Sequence, residues 1–175
     1  MTDWKAFFEG ILTEREIKVD EPMSRHTTYG IGGPADVFVM PQTEEQLMQI
    51  LQKAHKENIP VTVVGGGSNC LVSDKGIRGI TICMNRMKQE MTCEDTWITA
   101  TGGTGTGTVS RFAEKNGLKG FEWAVGIPGT VCGAVFMNAN GYGSQMKQVV
   151  EEVYAITRDG SEKKTYGWDD IHYGD

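Results

Sequence analysis

Three glycine-rich runs hold the residues of this chain best suited to receive an anion. The first is Gly65-Gly66-Gly67-Ser68-Asn69, directly after the apolar run Val61-Thr62-Val63-Val64. A strand that empties into backbone without side chains presents a row of N–H donors, which suits a phosphate. The same residues also suit a sharp turn, and on this run alone both readings stand. Ser68 and Asn69 add short polar side chains able to bond phosphate oxygens beside those N–H groups. The second run, Gly102-Gly103-Thr104-Gly105-Thr106-Gly107-Thr108, leads into a helix pattern. Its hydroxyls and helix start suit an anion, although a capped, flexible loop fits it slightly better. The third run is Ala124-Val125-Gly126-Ile127-Pro128-Gly129-Thr130-Val131-Cys132-Gly133-Ala134. Pro128 is expected at the first position of a helix. A helix built from Gly and Ala is intrinsically weak, which is reasonable where something must approach its backbone closely. A flat apolar ring system with a diphosphate tail meets that description. Asn138, Asn140 and Tyr142 continue the run with amides and an aromatic beside glycine.

Other chemistries find little support. No G-x-x-x-x-G-K-[ST] phosphate loop occurs, and Cys70 breaks the G-x-G-x-x-G spacing of a dinucleotide fingerprint. There is no G-x-S-x-G elbow for a nucleophilic serine. His26, His55 and His172 are scattered, and no His/Asp/Glu group has metal-ligand spacing. Glu44-Glu45 and Asp169-Asp170 read as solvated helix starts.

The elements that must position the glycine runs follow from periodicity. Trp4, Phe7, Phe8, Ile11 and Leu12 predict a helix over 3–14, capped by Thr2 or Asp3, within an N-terminal unit at 1–20. Residues 18–34 read as irregular. Ala35 to Met40 predict a strand ended by Pro41. Thr43 opens a second helix with Gln46 completing a capping box, an apolar stripe of Leu47, Ile50, Leu51 and Ala54, and an end near Asn58. Strands at 61–64 and near 79–84 follow, so the order β-α-β predicts parallel pairing. A strand at 96–101, a helix at 107–116 stopped by Gly117, a hairpin over 150–166 around Asp159-Gly160 and a short turn at Trp168–Ile171 complete the chain. The fold class is α+β.

The chain has 175 residues, which favours one domain or two small lobes sharing a ligand. Its 39% hydrophobic and 23% charged content is ordinary for a globular protein. Glycine is the outlier, with 23 residues, about twice the usual share of roughly 7%. The net charge of −6, without a Lys/Arg block, argues against a nucleic-acid or anionic-membrane surface. Cys70, Cys83, Cys93 and Cys132 show no C-x-x-C spacing and read as free cytosolic thiols. No apolar run approaches the ~20 residues of a membrane span, and the first residues do not form a signal peptide. The chain stops soon after the hairpin, and both a natural end and a truncated chain fit.

Taken together, three segments resemble the FAD-binding part of the UDP-N-acetylenolpyruvoylglucosamine reductases. They are Ser24-Arg25-His26-Thr27-Thr28-Tyr29-Gly30-Ile31-Gly32-Gly33-Pro34-Ala35-Asp36, then Val64 to Asn69, then Gly126-Ile127-Pro128-Gly129-Thr130 through Tyr142-Gly143. The resemblance runs over about 20–173. It implies a PCMH-type, or vanillyl-alcohol-oxidase-type, fold at 21–175, with one subdomain about 21–85 and a second about 86–175. It implies that FAD contacts Gly65, Gly66, Gly67, Ser68, Asn69, Gly103, Ile127, Pro128, Gly129, Thr130, Gly133 and Ala134. Asn69 and Cys70 stand where some oxidases of this fold carry a flavin-linking histidine, which implies noncovalent FAD. Tyr142 and Tyr173 are implied near substrate, with no metal.

The same resemblance implies NADPH as reductant, a nucleotide-sugar enolpyruvyl substrate and a cytoplasmic setting in peptidoglycan precursor synthesis. The family's serine acid and supporting glutamate lie in a C-terminal domain absent from this sequence. Its arginine should follow Tyr173, where Gly174 stands, and glycine supplies neither charge nor donor. Gly30, Cys70 and Cys132 depart from the family pattern more mildly. The chain alone is therefore expected to hold FAD without turning over substrate. A catalytically inactive flavin-binding module, or another FAD oxidoreductase of the same fold, remains the alternative.

Overall fold

A computed structural model describes residues 2–173 of the chain. Gly174, where the resemblance calls for arginine, lies outside them. The first half is built on a four-stranded sheet in the order β1-β2-β4-β3, from Ile17–Pro22, Pro34–Val39, Ile77–Cys83 and Val61–Val64. β1 runs antiparallel to β2, and β4 pairs parallel with both β2 and β3. Parallel pairing follows from the β-α-β order as expected, but β4 sits between the two strands that helix α2 joins.

α2 spans Glu44–Lys56, and its first turn is closed by Thr43, whose hydroxyl accepts from the Gln46 N–H at 3.2 Å. Gln46 returns the bond to the Thr43 N–H at 3.3 Å, completing the box predicted from sequence. The helix buries Leu47, Ile50, Leu51 and Ala54 against Val37, Val39, Ile80 and Ile82 of the sheet. The opposite face of the sheet packs Met23, Ala35, Phe38, Val64 and Cys83. Strict alternation would put Ala35 and Val37 on one face. The register shifts between them, so the face changes hands there. The Asp36 carboxylate holds the irregular spot by accepting from the Gly79 N–H at 2.8 Å and pairing with Arg78.

Two expectations for the N-terminal part are corrected. The helix predicted over 3–14 is a single turn, α1, at Trp4–Phe7, capped by Asp3 as expected. Phe8, Ile11 and Leu12 belong to the turns after it, where Phe8 and Leu12 pack into the same core as α2. Tertiary burial thus overrides the helical period, and this segment is part of the first sheet layer. Lys53 of α2 fastens it by donating to the Phe7 carbonyl and lying 4.5 Å above the Phe7 ring. The stretch 18–34, read as irregular, begins with strand β1. Its apolar residues are too few to alternate visibly, and pairing with β2 defines it.

The second half carries a hairpin of β5 (Met91–Glu94) and β6 (Trp97–Ala100), of which only the second strand was legible in the sequence. Helix α3 (Thr106–Lys115) and helix α4 (Val131–Phe136) follow, then a two-residue ladder of β7 (Asn140–Gly141) with β8 (Ser144–Gln145). The predicted last hairpin forms from β9 (Glu152–Ile156) and β10 (Lys163–Gly167). Asp159 shapes its loop by accepting from the Ser161 N–H at 3.1 Å. A small core of Trp123, Ala124, Ala134 and Met146 sits under α4.

Candidate functional site

The loop after β3 and the loop before α4 are in direct contact. A Cβ on Gly66 would stand 3.1 Å from the Gly129 Cα, and one on Gly65 would overlap the Thr130 hydroxyl. On the other side, a Cβ on Gly129 would come within 2.8 Å of the Ser68 Oγ. Ser68 donates that hydroxyl to the Pro128 carbonyl at 3.1 Å, closing the contact. The first and third glycine runs therefore form one surface, assembled from the end of a parallel strand and the approach to a helix. Ligand crevices commonly lie beyond the carboxyl ends of such strands.

Gly67 joins a third segment to this surface. Its carbonyl accepts from the Thr28 N–H at 3.1 Å, and any Cβ there would overlap the His26 carbonyl oxygen. Residues 26–28 are held in turn by the His26 ring. That ring lies 4.0 Å from Phe38 in a stacked arrangement, and its Nε2 is 2.8 Å from the Glu21 carboxylate. Burial alone would raise the Glu21 pKa. Hydrogen bonds from His26 and Lys18 outweigh that and hold it below the ordinary carboxylate value.

The second run works differently from its sequence reading. Thr104 and Thr106 are fully buried, so this is no flexible loop. Their hydroxyls bond inside the protein: Thr106 donates to the Ile127 carbonyl at 2.5 Å, and Thr104 lies 3.0 Å from the Thr101 hydroxyl. The backbone forms a rail for the third run. Val131 N–H donates to Thr104 O at 2.8 Å, Cys132 N–H to Gly102 O at 2.9 Å, and Thr106 N–H to Gly129 O at 3.2 Å. Gly103 packs against the Met84 carbonyl. Pro128 is not the first residue of a helix. α4 begins at Val131 with Thr130 as its cap, because Gly129 takes a left-handed φ of 112° that interrupts any helix begun at Pro128.

The backbone donors decide what this surface can bind. Among the described residues, the N–H groups of Gly65, Gly66, Gly67, Ser68 and Asn69 donate to no backbone carbonyl, and neither do those of Gly129, Thr130 and Gly133. Such a concentration of unpartnered donors on one surface suits the oxygens of a diphosphate. The residues present therefore fit the phosphate portion of FAD. Ile127, Pro128 and Ala134 add apolar or side-chain-poor surface beside the donors. Tyr142 stands apart on the β7–β8 turn, 91% exposed, although Gly141 beside it approaches Ile127. Tyr173 follows the last turn, and its hydroxyl is buried with no hydrogen-bond partner among the described residues. Burial pushes its pKa up.

A cleft of about 310 Å³ opens beside Gly65 and Gly66, lined also by Arg25, Thr28, Asn85 and Arg86. Sequence reading passed over Asn85 and Arg86. The available signal was their position immediately after the apolar run of β4, which neighbours β3.

Similarity to known proteins agrees with this geometry. A match to the family described as FAD binding domain covers residues 35–166. The UDP-N-acetylenolpyruvoylglucosamine reductase of Clostridioides difficile is 44% identical over 151 residues, covering 86% of this chain and 50% of that protein. The crystal structure of the corresponding reductase (MurB) from Thermus caldophilus superposes with a TM-score of 0.72 at 31% identity, covering 90% of this chain and 55% of that one. An alkyldihydroxyacetonephosphate synthase shares the fold alone, with a TM-score of 0.70 at 19% identity over 99% of this chain and 37% of its own. The chain spans about half the length of the curated relatives it matches. With two thirds or more of its length inside the match and an α+β architecture to go with it, the chain belongs to the FAD binding domain family.

Proposed function

We propose that this chain forms the flavin-holding part of a UDP-N-acetylenolpyruvoylglucosamine reductase. The observation that carries the proposal is the contact between Gly65–Asn69 and Pro128–Thr130, with its row of unpartnered N–H groups. Gly65, Gly66, Gly67, Ser68 and Asn69 hold the diphosphate from the β3 side, and Gly129, Thr130 and Gly133 from the α4 side. Ile127, Pro128 and Ala134 border the ring system, while Gly103 keeps the loop behind them close. FAD held there would supply the redox chemistry for hydride transfer between NADPH and an enolpyruvyl nucleotide sugar.

The residues of this chain bind and orient. The rail from 102–106 to 127–132 fixes the donors before the ligand arrives, so little ordering remains to oppose binding. Asn69 and Cys70 offer no imidazole for a flavin linkage, so the cofactor is held noncovalently. Tyr142 and Tyr173 border the substrate side. The subdomain boundary falls near 85/86, between the β4 layer and the β5–β6 hairpin. The setting is cytoplasmic; no helix among the described residues is long and apolar enough to cross a membrane. The isolated chain holds flavin without reducing the enolpyruvyl substrate.

The test is the visible absorption spectrum of the purified chain before and after addition of FAD and gel filtration. Flavin bands that co-elute with the protein and are released by acid or heat support the reading. A chain that elutes colourless after incubation with excess FAD refutes it. Flavin retained on the denatured chain refutes the noncovalent assignment alone.

A further inference from the structure

The cleft beside the glycine surface carries a charge pattern that the backbone donors do not explain. It is bordered by Arg25, His26, Gly65, Gly66, Asn85 and Arg86, and among the described residues no carboxylate lines it. This is a departure in a chain where acids outnumber bases 23 to 17. The two guanidinium groups differ in freedom. The Arg25 Nη1 lies 3.8 Å from Glu21, a carboxylate that also faces Lys18 at 3.2 Å and His26 at 2.8 Å. Among the described residues no carboxylate pairs with Arg86. Arg86 sits on a fixed base: the 3-10 turn Met84–Arg86 continues β4 and closes with the Met87 N–H donating to the Met84 carbonyl at 3.1 Å. Met87 then plugs into the main core. Cys83, on the cleft wall, has its thiol pKa raised by burial and so adds no negative charge at neutral pH.

We propose that Arg86 is a phosphate-binding side chain of this cleft, with Arg25 as a weaker second cation, and that the ligand is a diphosphate-bearing nucleotide whose oxygens also meet Gly65 and Gly66. The planar guanidinium matches phosphate oxygens in a way that a lone backbone N–H cannot. The identity of the nucleotide rests on the flavin reading above, whereas the anion chemistry rests on the cleft itself.

The test titrates the full chain with FAD, followed by flavin fluorescence, and separately with inorganic pyrophosphate, followed by calorimetry. Wild type is compared with Arg86→Gln, Arg86→Lys and Arg25→Gln. Arg86→Gln is expected to raise both dissociation constants about tenfold, the scale of a charge-assisted hydrogen bond discounted for exposure. Arg25→Gln raises them about threefold or less because Glu21 shares its charge. Arg86→Lys recovers most of the loss. The salt dependence of FAD binding becomes shallower in Arg86→Gln, a change that a purely structural role would not produce. An unchanged FAD dissociation constant and salt dependence in Arg86→Gln overturns the proposal while leaving the flavin reading intact. Pyrophosphate binding that is lost in Arg86→Gln, in a protein that takes up no FAD, supports the phosphate site and defeats the flavin reading.

Discussion

Gly67 gives the sharpest test of how the loop after β3 is held. Its φ is 68°, and a Cβ at this position would overlap the His26 carbonyl oxygen. Alanine there meets two costs. The left-handed backbone costs about 1–2 kcal/mol. Relief of the overlap moves residues 26–28 and breaks the 3.1 Å bond from Thr28 to Gly67, worth about 1 kcal/mol. Alanine recovers about 0.4–1 kcal/mol by restricting the unfolded chain. The net destabilisation is about 2 kcal/mol. Gly30 supplies the control, because its φ is 66° and nothing among the described residues lies within 4 Å of its Cβ direction. Gly30→Ala therefore bears the backbone cost alone, about 1 kcal/mol after the unfolded-state offset. Urea denaturation separates the two: at a slope of about 2 kcal/mol per molar, Gly67→Ala falls about 0.5 M below Gly30→Ala. Asparagine tolerates left-handed backbone, so Gly30→Asn returns toward wild type whereas Gly67→Asn does not. Equal midpoints for the two alanine variants, or rescue of Gly67 by asparagine, would refute the claim that the 26–28 segment presses on this loop.

Further outcomes follow from other contacts. Phe8→Ala should destabilise the chain by about 3–5 kcal/mol in urea unfolding, since Phe8 is fully buried and packs edge-on against Phe7 at 4.9 Å; a neutral effect would mean the N-terminal turn is not part of the core. Thr43→Ala removes the α2 cap and should cost about 1 kcal/mol, read as a fall of about 2–4 °C in Tm. Glu21 has a folded pKa below the ordinary 4.5, so its contribution is fully present above pH 4.5 and is lost as pH falls through the folded value. The stability gap between wild type and Glu21→Gln should therefore be wide at pH 7 and narrow below pH 4.5; a gap that widens on acidification contradicts this. Gly133→Ala should raise the stability in urea unfolding by about 1 kcal/mol, yet weaken FAD binding in a fluorescence titration; stronger binding would contradict the placement of Gly133.

Sequence legibility tracked how local each feature is. The α2 stripe and its capping box were readable because four apolar side chains and one Thr–Gln pair set them within a few residues. The β3 and β4 strands and the last hairpin were readable for the same reason. The α1 helix was overextended because Phe8, Ile11 and Leu12 keep helical spacing while their burial against α2 and the sheet favours turns. β1 was missed because Lys18, Asp20 and Glu21 carry no strand signature, and only the ladder to β2 defines it. In the site, the glycine segments were named from sequence, but their contact was not. Gly65–Thr130 and Ser68–Pro128 are about 60 residues apart and leave no local trace. The threonines of the second run were misread as a flexible loop, since hydroxyls aimed into the protein look the same in sequence as hydroxyls aimed at solvent.

The glycines of the site fall into two physical kinds, and the division bears on why they are glycine at all. Gly65, Gly66, Gly67, Gly103 and Gly129 are required by the protein itself, because a side chain at each would press on a neighbouring segment. Their abundance would be the same in a scaffold that bound nothing. Gly126 and Gly133 are different. Among the described residues, a Cβ on Gly126 meets nothing within 4 Å, and one on Gly133 meets only the Thr130 hydroxyl at 3.4 Å, an ordinary contact. Neither has the left-handed backbone that favours glycine. Gly133 even lies within α4, where glycine costs about 1 kcal/mol relative to alanine. The fold gives no reason for these two, whereas a ligand lying against the third run does. A cofactor on this surface is thus indicated less by the absence of side chains in the triple glycine, which the packing already explains, than by the free N–H donors and by glycines that the packing leaves unexplained.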